Sequence, residues 1–301
     1  MRVTPRSLGV LDVGRLMNTL EVAPRVEEMG FSRYWVSEHH GEGCIPTSTM
    51  AVTLVAGITS TIRIGAAGVL LRFQSALSVA QSFRTLQALS NGRVDLGVAR
   101  ANVSSEALSK LLLDGRAEAY SIDDHFKKVE ILQRIVAARP TGSDGIRPDD
   151  IEPVFLEQFT PPPLWVLSTS GSGASLAARI GARYSFHDYY RPTEGRDAVR
   201  RYQDEFKPSP ELAEPEWNVC IDAFIAENES EARQIRRSSR ATEVPGSRYF
   251  AGTPEQFKDH LAEMAFQYES AEVILSTLHA AYDVPMQLRS FELAHQAVRL
   301  G

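Results

Sequence analysis

The chain has 301 residues, a formal net charge of -6 at pH 7 and two cysteines. This length suffices for one α/β barrel or for two ordinary domains. The acidic balance, without a cluster of lysine and arginine, argues against a nucleic-acid partner, and two cysteines make no disulfide framework. No run of about 20 apolar residues is present to span a membrane, and no apolar run follows the N-terminal arginines as in a signal peptide. We therefore expect a soluble cytoplasmic protein.

Short apolar runs alternate with helical patterns through the first hundred residues. Predicted strands span 8–11, 34–36, 62–71 and 94–98, and predicted helices span 16–29, 48–58 and 76–89. Apolar residues within 76–89 recur at helical spacing, and a Ser-Asn-Gly turn follows them. Pro24 lies inside the first helical pattern, which predicts either a late helix start or a kink.

The alternation is interrupted between residues 140 and 163. This stretch contains six prolines and two glycines, which predicts a long irregular loop. Alternation then resumes, with strands predicted at 164–167, 184–186, 218–226 and 273–275, and helices predicted at 174–180, 229–240, from 254 onward and at 285–298. Thr253 and Pro254 are expected as the N-cap and first residue of one of these helices.

Regular alternation of strand and helix predicts parallel strands joined by helical crossovers. The pattern fits an open doubly wound sheet as well as a closed barrel. The chain length favours a (β/α)8 TIM barrel, formed as a single domain over residues 1–301. Because barrel enzymes carry their chemistry at the C-terminal ends of the strands, polar residues just after each strand are the candidate site.

Three residues that can exchange protons follow the second predicted strand: Glu38, His39 and His40. Histidine titrates near neutral pH and is a natural proton carrier. Histidine and glutamate also bind metals, but neighbouring residues of an extended chain point to opposite sides. Because His39 and His40 would then face apart, we predict no metal site.

The other candidates follow the third, fourth and fifth strands. Small residues in Gly65-Ala66-Ala67-Gly68 allow a flat ligand to approach the backbone, although a bulge or tight packing explains them as well. Ser168-Thr169-Ser170-Gly171-Ser172-Gly173 separates a strand from a helix, where hydroxyls and free amides form a phosphate cradle. Neither a Walker loop nor a Gly-x-Gly-x-x-Gly fingerprint occurs. Together with Arg100, this stretch predicts a site for a monophosphate.

Several blocks of the sequence, in this order, resemble the bacterial luciferase-like flavin monooxygenases. They are Tyr34-Trp35 leading into Glu38-His39-His40, Ile62-Arg63-Ile64-Gly65, the run from Leu86 to Gly97, Trp165-Val166-Leu167, Gly252-Thr253-Pro254-Glu255 and Glu272-Val273-Ile274-Leu275. The resemblance implies a barrel that binds reduced flavin mononucleotide (FMN), which a separate NAD(P)H:flavin reductase delivers. It also implies that dioxygen is used to oxidise a small organic substrate, and that the protein is a homodimer.

Carried over by position, the resemblance also implies roles for individual residues. His39 matches the histidine that handles protons near the flavin. Arg100 and Ser170, with Gly171 beside them, match the residues that hold the phosphate. Ala67-Gly68 matches a bulged pair, often joined by a cis peptide, under the flavin ring.

The chain departs from the family pattern at several positions. Gly173 stands where the phosphate cradle has a hydroxyl residue, which predicts a modest affinity for flavin. Tyr189 stands where a histidine is usual, which predicts a divergent substrate side. Further departures are Arg72, Ser75, Ala76, Gln81 and Ala101.

Three other functions stay compatible with the sequence. The first is deazaflavin-dependent hydride transfer on the same barrel, the second is flavin binding without catalysis, and the third is metal-dependent hydrolysis. Mixing the protein with each reduced flavin and air distinguishes these functions, because each predicts a different cofactor and a different outcome. The sequence alone names no substrate.

Overall fold

The computed structural model describes the greater part of the chain. Described are residues 5, 7–14, 16–41, 44–100, 103, 105–115, 120–137, 160–238, 246–270, 272–277 and 283–299. No helix among these residues is long and apolar enough to cross a membrane. Residues 140–159 of the predicted irregular loop lie outside the described part.

Parallel strands form one continuous sheet that closes on itself. The strands are β1 (Ser7–Asp12), β2 (Arg33–Val36), β3 (Arg63–Leu70), β4 (Val94–Ala99), β5 (Leu164–Ser168), β6 (Arg183–His187), β7 (Trp217–Ile225), β8 (Phe250–Gly252) and β9 (Glu272–Ser276). Strands β1 to β7 pair in chain order, and β9 closes the ring between β7 and β1. The short strand β8 pairs with the end of β7. The predicted eight-stranded barrel is thereby confirmed, and the open sheet is excluded.

Helices follow the strands around the outside of the barrel. They are α1 (Leu16–Met29), α2 (Ser48–Ile58), α3 (Ala76–Leu89), α4 (Glu106–Leu112), α5 (Ile122–Val136), α6 (Gly171–Ile180), α7 (Gly195–Glu205), α8 (Glu229–Ser238), α9 (Pro254–Tyr268) and α10 (Val284–Arg299). A 3-10 turn, Leu71–Phe73, precedes α3. Thr253 caps α9 through a capping box with Gln256, as the sequence predicts for this N-terminus.

All eight predicted strands are present, and none of their ends is displaced by more than one residue. Helix α1 begins at Leu16 and continues through Pro24, so of the two predicted alternatives, a late start or a kink, the late start is excluded. Helices α4, α5 and α7 and strand β8 were absent from the prediction. Helix α6 begins at Gly171 and not at Ala174, because the serine- and glycine-rich stretch itself forms the first helical turn.

A buried ion cluster closes the N-terminal end of the barrel interior. Arg33 of β2 bonds to Asp95 of β4 and lies 3.2 Å from a carboxylate oxygen of Glu272 on β9. Arg63 of β3 meets the other oxygen of Asp95 at 2.7 Å, and Asn218 of β7 donates to Glu272 at 3.0 Å. Each buried charge thus has partners that offset its desolvation. The cluster links five strands at the floor of the barrel.

Two tryptophans fill the layer above this floor. The rings of Trp35 and Trp165 are 1% exposed and meet edge to face, with centroids 5.8 Å apart. The guanidinium of Arg33 lies 4.8 Å from the centroid of Trp165. Neighbouring strands leave room for the rings, because a Cβ on Gly65 would lie 2.6 Å from Trp35. The interior above the tryptophans therefore opens towards the C-terminal ends of the strands.

Candidate active site

A cavity of about 770 Å³ lies at the C-terminal ends of the barrel strands. It brings together five of the six residues that the sequence singled out: His39, Ala67, Gly68, Arg100 and Ser170. The sixth, Gly171, does not line the cavity. It is the first residue of α6, and a Cβ at this position would lie 3.1 Å from the guanidinium of Arg201.

Ala67 and Gly68 form a flat stretch of backbone in the wall of the cavity. The peptide bond between them is cis, and the pairing of β3 with β4 shifts register between Ala66 and Val69. A Cβ on Gly68 would lie 3.0 to 3.2 Å from the backbone of β4, so the two strands approach closely here. The structure thus contains the bulged pair and the cis peptide that the resemblance implies.

Glu38 lines the cavity and anchors the fold through its carboxylate. Its side chain is 1% exposed, and its carboxylate accepts hydrogen bonds from Ser48, Leu70 and Gln74. These donors include two backbone amides, from Ser48 at 3.2 Å and from Leu70 at 3.0 Å. The carboxylate therefore ties the end of β2 to the start of α2 and the end of β3, and it fixes the backbone next to His39.

His39 and His40 lie in different surroundings. The ring of His39 lines the cavity, and its backbone amide donates to the carbonyl of Ile45 at 3.0 Å. Burial by the cavity walls lowers the pKa of His39, Glu38 opposes this effect, and His40 adds to it. A neutral imidazole is able to accept a proton. His40 packs against the ring of Phe73, 6.1 Å between centroids, outside the cavity.

Three serine hydroxyls form a row at the N-terminus of α6. The hydroxyl oxygens of Ser168 and Ser170 are 3.2 Å apart, and those of Ser170 and Ser172 are 3.0 Å apart. Arg100 follows β4, which pairs with β5, so the arginine and the serines come from neighbouring strand ends. Cationic, hydroxyl and helix N-terminal groups together suit a phosphate dianion.

Gly173 has a packing role in this cradle. A Cβ at position 173 would collide with the hydroxyl oxygen of Ser168. Glycine is therefore needed at 173 for Ser168 to point into the cradle. The modest affinity for flavin that the sequence predicts from Gly173 stays a prediction.

His125 is a residue of this region that the sequence analysis missed. It is buried in α5 and lines a smaller pocket of about 60 Å³, which shares Arg100, Ser168 and Ser170 with the main cavity. Burial, with smaller effects of the nearby cations Arg100 and Lys128, lowers its pKa to about 4. Its helix was not predicted, so no position relative to a strand end drew attention to it.

His187 is the second missed residue. It is the last residue of β6 and lines the main cavity, and its Nδ1 lies 3.1 Å from the hydroxyl oxygen of Tyr189. Burial lowers the pKa of His187 to about 4, with a smaller effect from His39. A histidine directly after the predicted strand 184–186 was the signal that could have found it.

The cavity can hold a flat phosphorylated ligand next to a proton acceptor. Arg100 and the serine row form one end, the Ala67–Gly68 backbone forms part of the wall, and His39 and His187 line the interior. Within the described part of the chain, no group of three or more histidine, cysteine, aspartate or glutamate side chains could hold a metal ion.

Two sequence relatives match this chain over different lengths. A luciferase-like monooxygenase of Escherichia coli (strain K12) is 32% identical over 217 residues, which cover 71% of this chain and 62% of that protein. An F420-dependent glucose-6-phosphate dehydrogenase of Amycolatopsis mediterranei is 37% identical over 103 residues, which cover 32% of this chain and 30% of that protein. The second likeness is confined to about a third of the chain.

Two solved structures resemble the whole fold. The structure of apo-MsnO8 is 27% identical and superposes with a TM-score of 0.84, covering 98% of this chain and 99% of that one. A type II Baeyer-Villiger monooxygenase component from Pseudomonas putida, solved in complex with FMN, is 17% identical with a TM-score of 0.71, covering 97% and 98% of the two chains. At 17% identity this second likeness shows the fold alone.

The family comparison agrees with the site and the barrel. The model of the family described as luciferase-like monooxygenase matches residues 3–281. This range includes every strand of the barrel and every residue named above in the cavity. The chain belongs to the luciferase-like monooxygenase family.

Proposed function

We propose that this protein is a monooxygenase that uses reduced FMN and dioxygen to oxidise a small organic substrate. The observation that carries the proposal is one cavity with a phosphate cradle, a flat backbone wall at Ala67–Gly68 and a histidine. Its volume of about 770 Å³ lies in the usual range for ligand sites, roughly 300 to 1,000 Å³. The FMN complex of the Pseudomonas putida component adds support, since it has the same fold.

Each part of the cavity has a task in this function. Reduced FMN, when bound, supplies the electrons that activate dioxygen, so that one oxygen atom enters the substrate. Arg100 and the serine row would hold the phosphate, and the Ala67–Gly68 backbone would support the ring. His39, in a position fixed by the Glu38 anchor, would accept or donate a proton in the cavity. The apolar side chains of Leu11, Val13 and Leu167 line the cavity and limit the access of water.

A separate NAD(P)H:flavin reductase is the partner we propose. The need for this reductase tests the proposed function as a whole. The pure protein is mixed without air with oxidised FMN and NADH or NADPH, and the flavin absorbance is followed. We expect no bleaching until a reductase is added. Admission of air should then yield oxidised product from a panel of candidate substrates. Bleaching at a catalytic rate without a reductase would contradict the two-component function.

Deazaflavin-dependent hydride transfer is the second candidate. It is favoured by the 37% identity to the F420-dependent dehydrogenase over about a third of the chain. The two candidates differ in their cofactor and in their need for dioxygen. One assay supplies reduced or oxidised F420 without air, and the other supplies reduced FMN in air. Turnover in the first assay and none in the second would favour hydride transfer over the monooxygenase function.

The phosphate cradle is tested by replacing Arg100 with alanine. A charge-assisted hydrogen bond contributes roughly 1.5–3 kcal/mol, so FMN should bind about ten- to a hundredfold more weakly. Riboflavin lacks the phosphate and should bind as before. Arg191→Ala is the matched control, because Arg191 also lines the cavity but pairs with Glu194 at 2.9 Å. Equal weakening of FMN and riboflavin in Arg100→Ala would show a structural role for the arginine.

His39 is tested by comparing flavin binding with product formation. His39→Ala should still bind reduced FMN but should lose coupled product and release hydrogen peroxide, because proton handling acts on turnover more than on binding. Since the pKa of His39 is lowered, its neutral form persists to a lower pH than in free histidine. Protonation of His39 should accordingly reduce native activity with a midpoint below pH 6.5, the ordinary value for histidine. His40→Ala is the control, and product formed by His39→Ala at the native rate would exclude His39 from the mechanism.

A homodimer is the assembly we propose, through the exposed face of α2. Met50, Leu54 and Ile58 repeat every four residues along this helix and are 63%, 41% and 41% exposed. Leu54→Glu should convert the dimer into a monomer, as measured by light scattering. Phe266→Glu is the control, because Phe266 is 72% exposed on α9. A native protein of monomer mass would refute the dimer.

A further inference from the structure

His187 and Tyr189 form a hydrogen-bonded pair in the wall of the main cavity. The Nδ1 of His187 and the hydroxyl oxygen of Tyr189 are 3.1 Å apart, and the ring centroids are 5.6 Å apart. The ring of Tyr190 packs on that of Tyr189, with centroids 4.5 Å apart. All three side chains line the cavity that also holds His39. The proposed function uses none of them.

The phenol of Tyr189 lies within hydrogen-bond distance of the imidazole of His187. Burial raises the pKa of Tyr189 well above its usual value, and Cys220, Tyr190 and Asp222 add to this effect. The hydroxyl of Tyr189 therefore keeps its proton and can donate it to Nδ1 of His187. A neutral imidazole that accepts at Nδ1 carries its own proton on Nε2. The ring nitrogen that remains for a ligand is then a hydrogen-bond donor without charge.

Few charged groups lie close to the imidazole of His187, and one of them is paired. His187 stays neutral above pH of about 4, because of its burial and the neighbouring His39. Arg191 is the cation of this wall, and Glu194 pairs with it. The charge of Asp222 contributes to the raised pKa of both Tyr189 and Tyr190. Leu11, Val13 and Leu167 add apolar surface to the same cavity.

We propose that His187, oriented by Tyr189, donates a hydrogen bond from Nε2 to a neutral acceptor oxygen of the substrate. The substrate is accordingly a mainly apolar compound with a carbonyl or hydroxyl oxygen, and it binds beside His187 in the cavity that His39 also lines. This inference rests on the proposed function, since it assigns the substrate class of that same site. Its test needs no flavin and no turnover, so the two can fail separately.

The first measurement addresses the imidazole itself. Protein labelled with 15N-histidine is examined by two-bond 1H–15N spectroscopy, which shows which ring nitrogen carries the proton. His187 should be neutral between pH 5.5 and 8, with its proton on Nε2. Free histidine, in contrast, titrates within this range, near pH 6.5. Tyr189→Phe keeps the aromatic ring but removes the hydroxyl, and it should give a mixture of both tautomers. An unchanged tautomer in Tyr189→Phe would overturn the orienting role.

The second measurement uses acetophenone and ethylbenzene as probes, which differ in one acceptor oxygen. Acetophenone should shift the Nε2 signal of His187 and bind about tenfold more tightly than ethylbenzene, as one hydrogen bond allows. His187→Phe should remove this preference and leave ethylbenzene binding unchanged, and Tyr189→Phe should weaken the preference. His40→Phe is the control, because His40 lies outside the cavity.

Two outcomes would overturn the inference. One is a His187 signal that acetophenone leaves in place, and the other is a preference for acetophenone that survives in His187→Phe. Should His187→Phe fail to fold, Tyr189→Phe still decides the question through the tautomer and through the preference. A protein that passes these tests but oxidises nothing with reduced FMN would refute the proposed function alone.

Discussion

The filling of the lower barrel is the constraint on which the site depends. A ring of eight strands encloses a space that side chains must fill, since interiors pack as densely as organic crystals. Here charged groups at Arg33, Asp95 and Glu272 form the floor, and Trp35 and Trp165 form the next layer. Glycines on the neighbouring strands make room for rings of this size. The interior is thus solid up to the tryptophans, and the cavity forms above them, where the strands end.

The upper rim is held by hydrogen bonds to one buried carboxylate. Glu38 joins the end of β2 to α2 and β3, and its oxygens meet donors from Ser48, Leu70 and Gln74. A buried carboxylate is costly unless it is satisfied in this way, so these donors and Glu38 depend on each other. His39 is the next residue along the chain, so the hydrogen bonds of Glu38 also fix the position of its backbone. The anchor thereby connects the packing of three elements with the chemistry of the cavity.

The strands were predictable because each is a short apolar run bounded by turn residues. Closure of the barrel was not, since the pairing of β9 with β1 joins residues more than 260 positions apart. Helix α7 escaped prediction because few of its residues are apolar, with Ala198, Val199 and Tyr202 as its buried face. Helix α5 carries a readable capping box, Ser121 with Asp124, which the sequence analysis passed over. Strand β8 is three residues long and gives no periodic signal.

The candidate site was predictable where local sequence determines the geometry. Small residues at Ala67 and Gly68 and the serine-rich stretch suggested their roles directly, and both lie in the cavity. The role of Glu38 was not readable, because its hydrogen-bond donors come from residues 10 to 36 positions away. The function of Gly173 depends likewise on the hydroxyl of Ser168 across the first turn of α6. The roles of such residues depend on partners that are distant in the sequence or that become neighbours only when the chain folds.

The difference in charge between parts of the cavity wall gives the site a direction. Arg100 and the serine hydroxyls form a part that suits an anion, whereas burial lowers the pKa of His187 to about 4 and leaves a neutral group in another part. The phosphate of a ligand would bind favourably to Arg100 and the serine hydroxyls, whereas the neutral part of the wall offers it no opposite charge. The proposed cofactor would therefore lie with its phosphate towards α6, and its ring near Ala67–Gly68. The neutral part of the cavity is then available to a second, uncharged molecule. The transfer of oxygen to an apolar substrate would require such a binding place beside the cofactor.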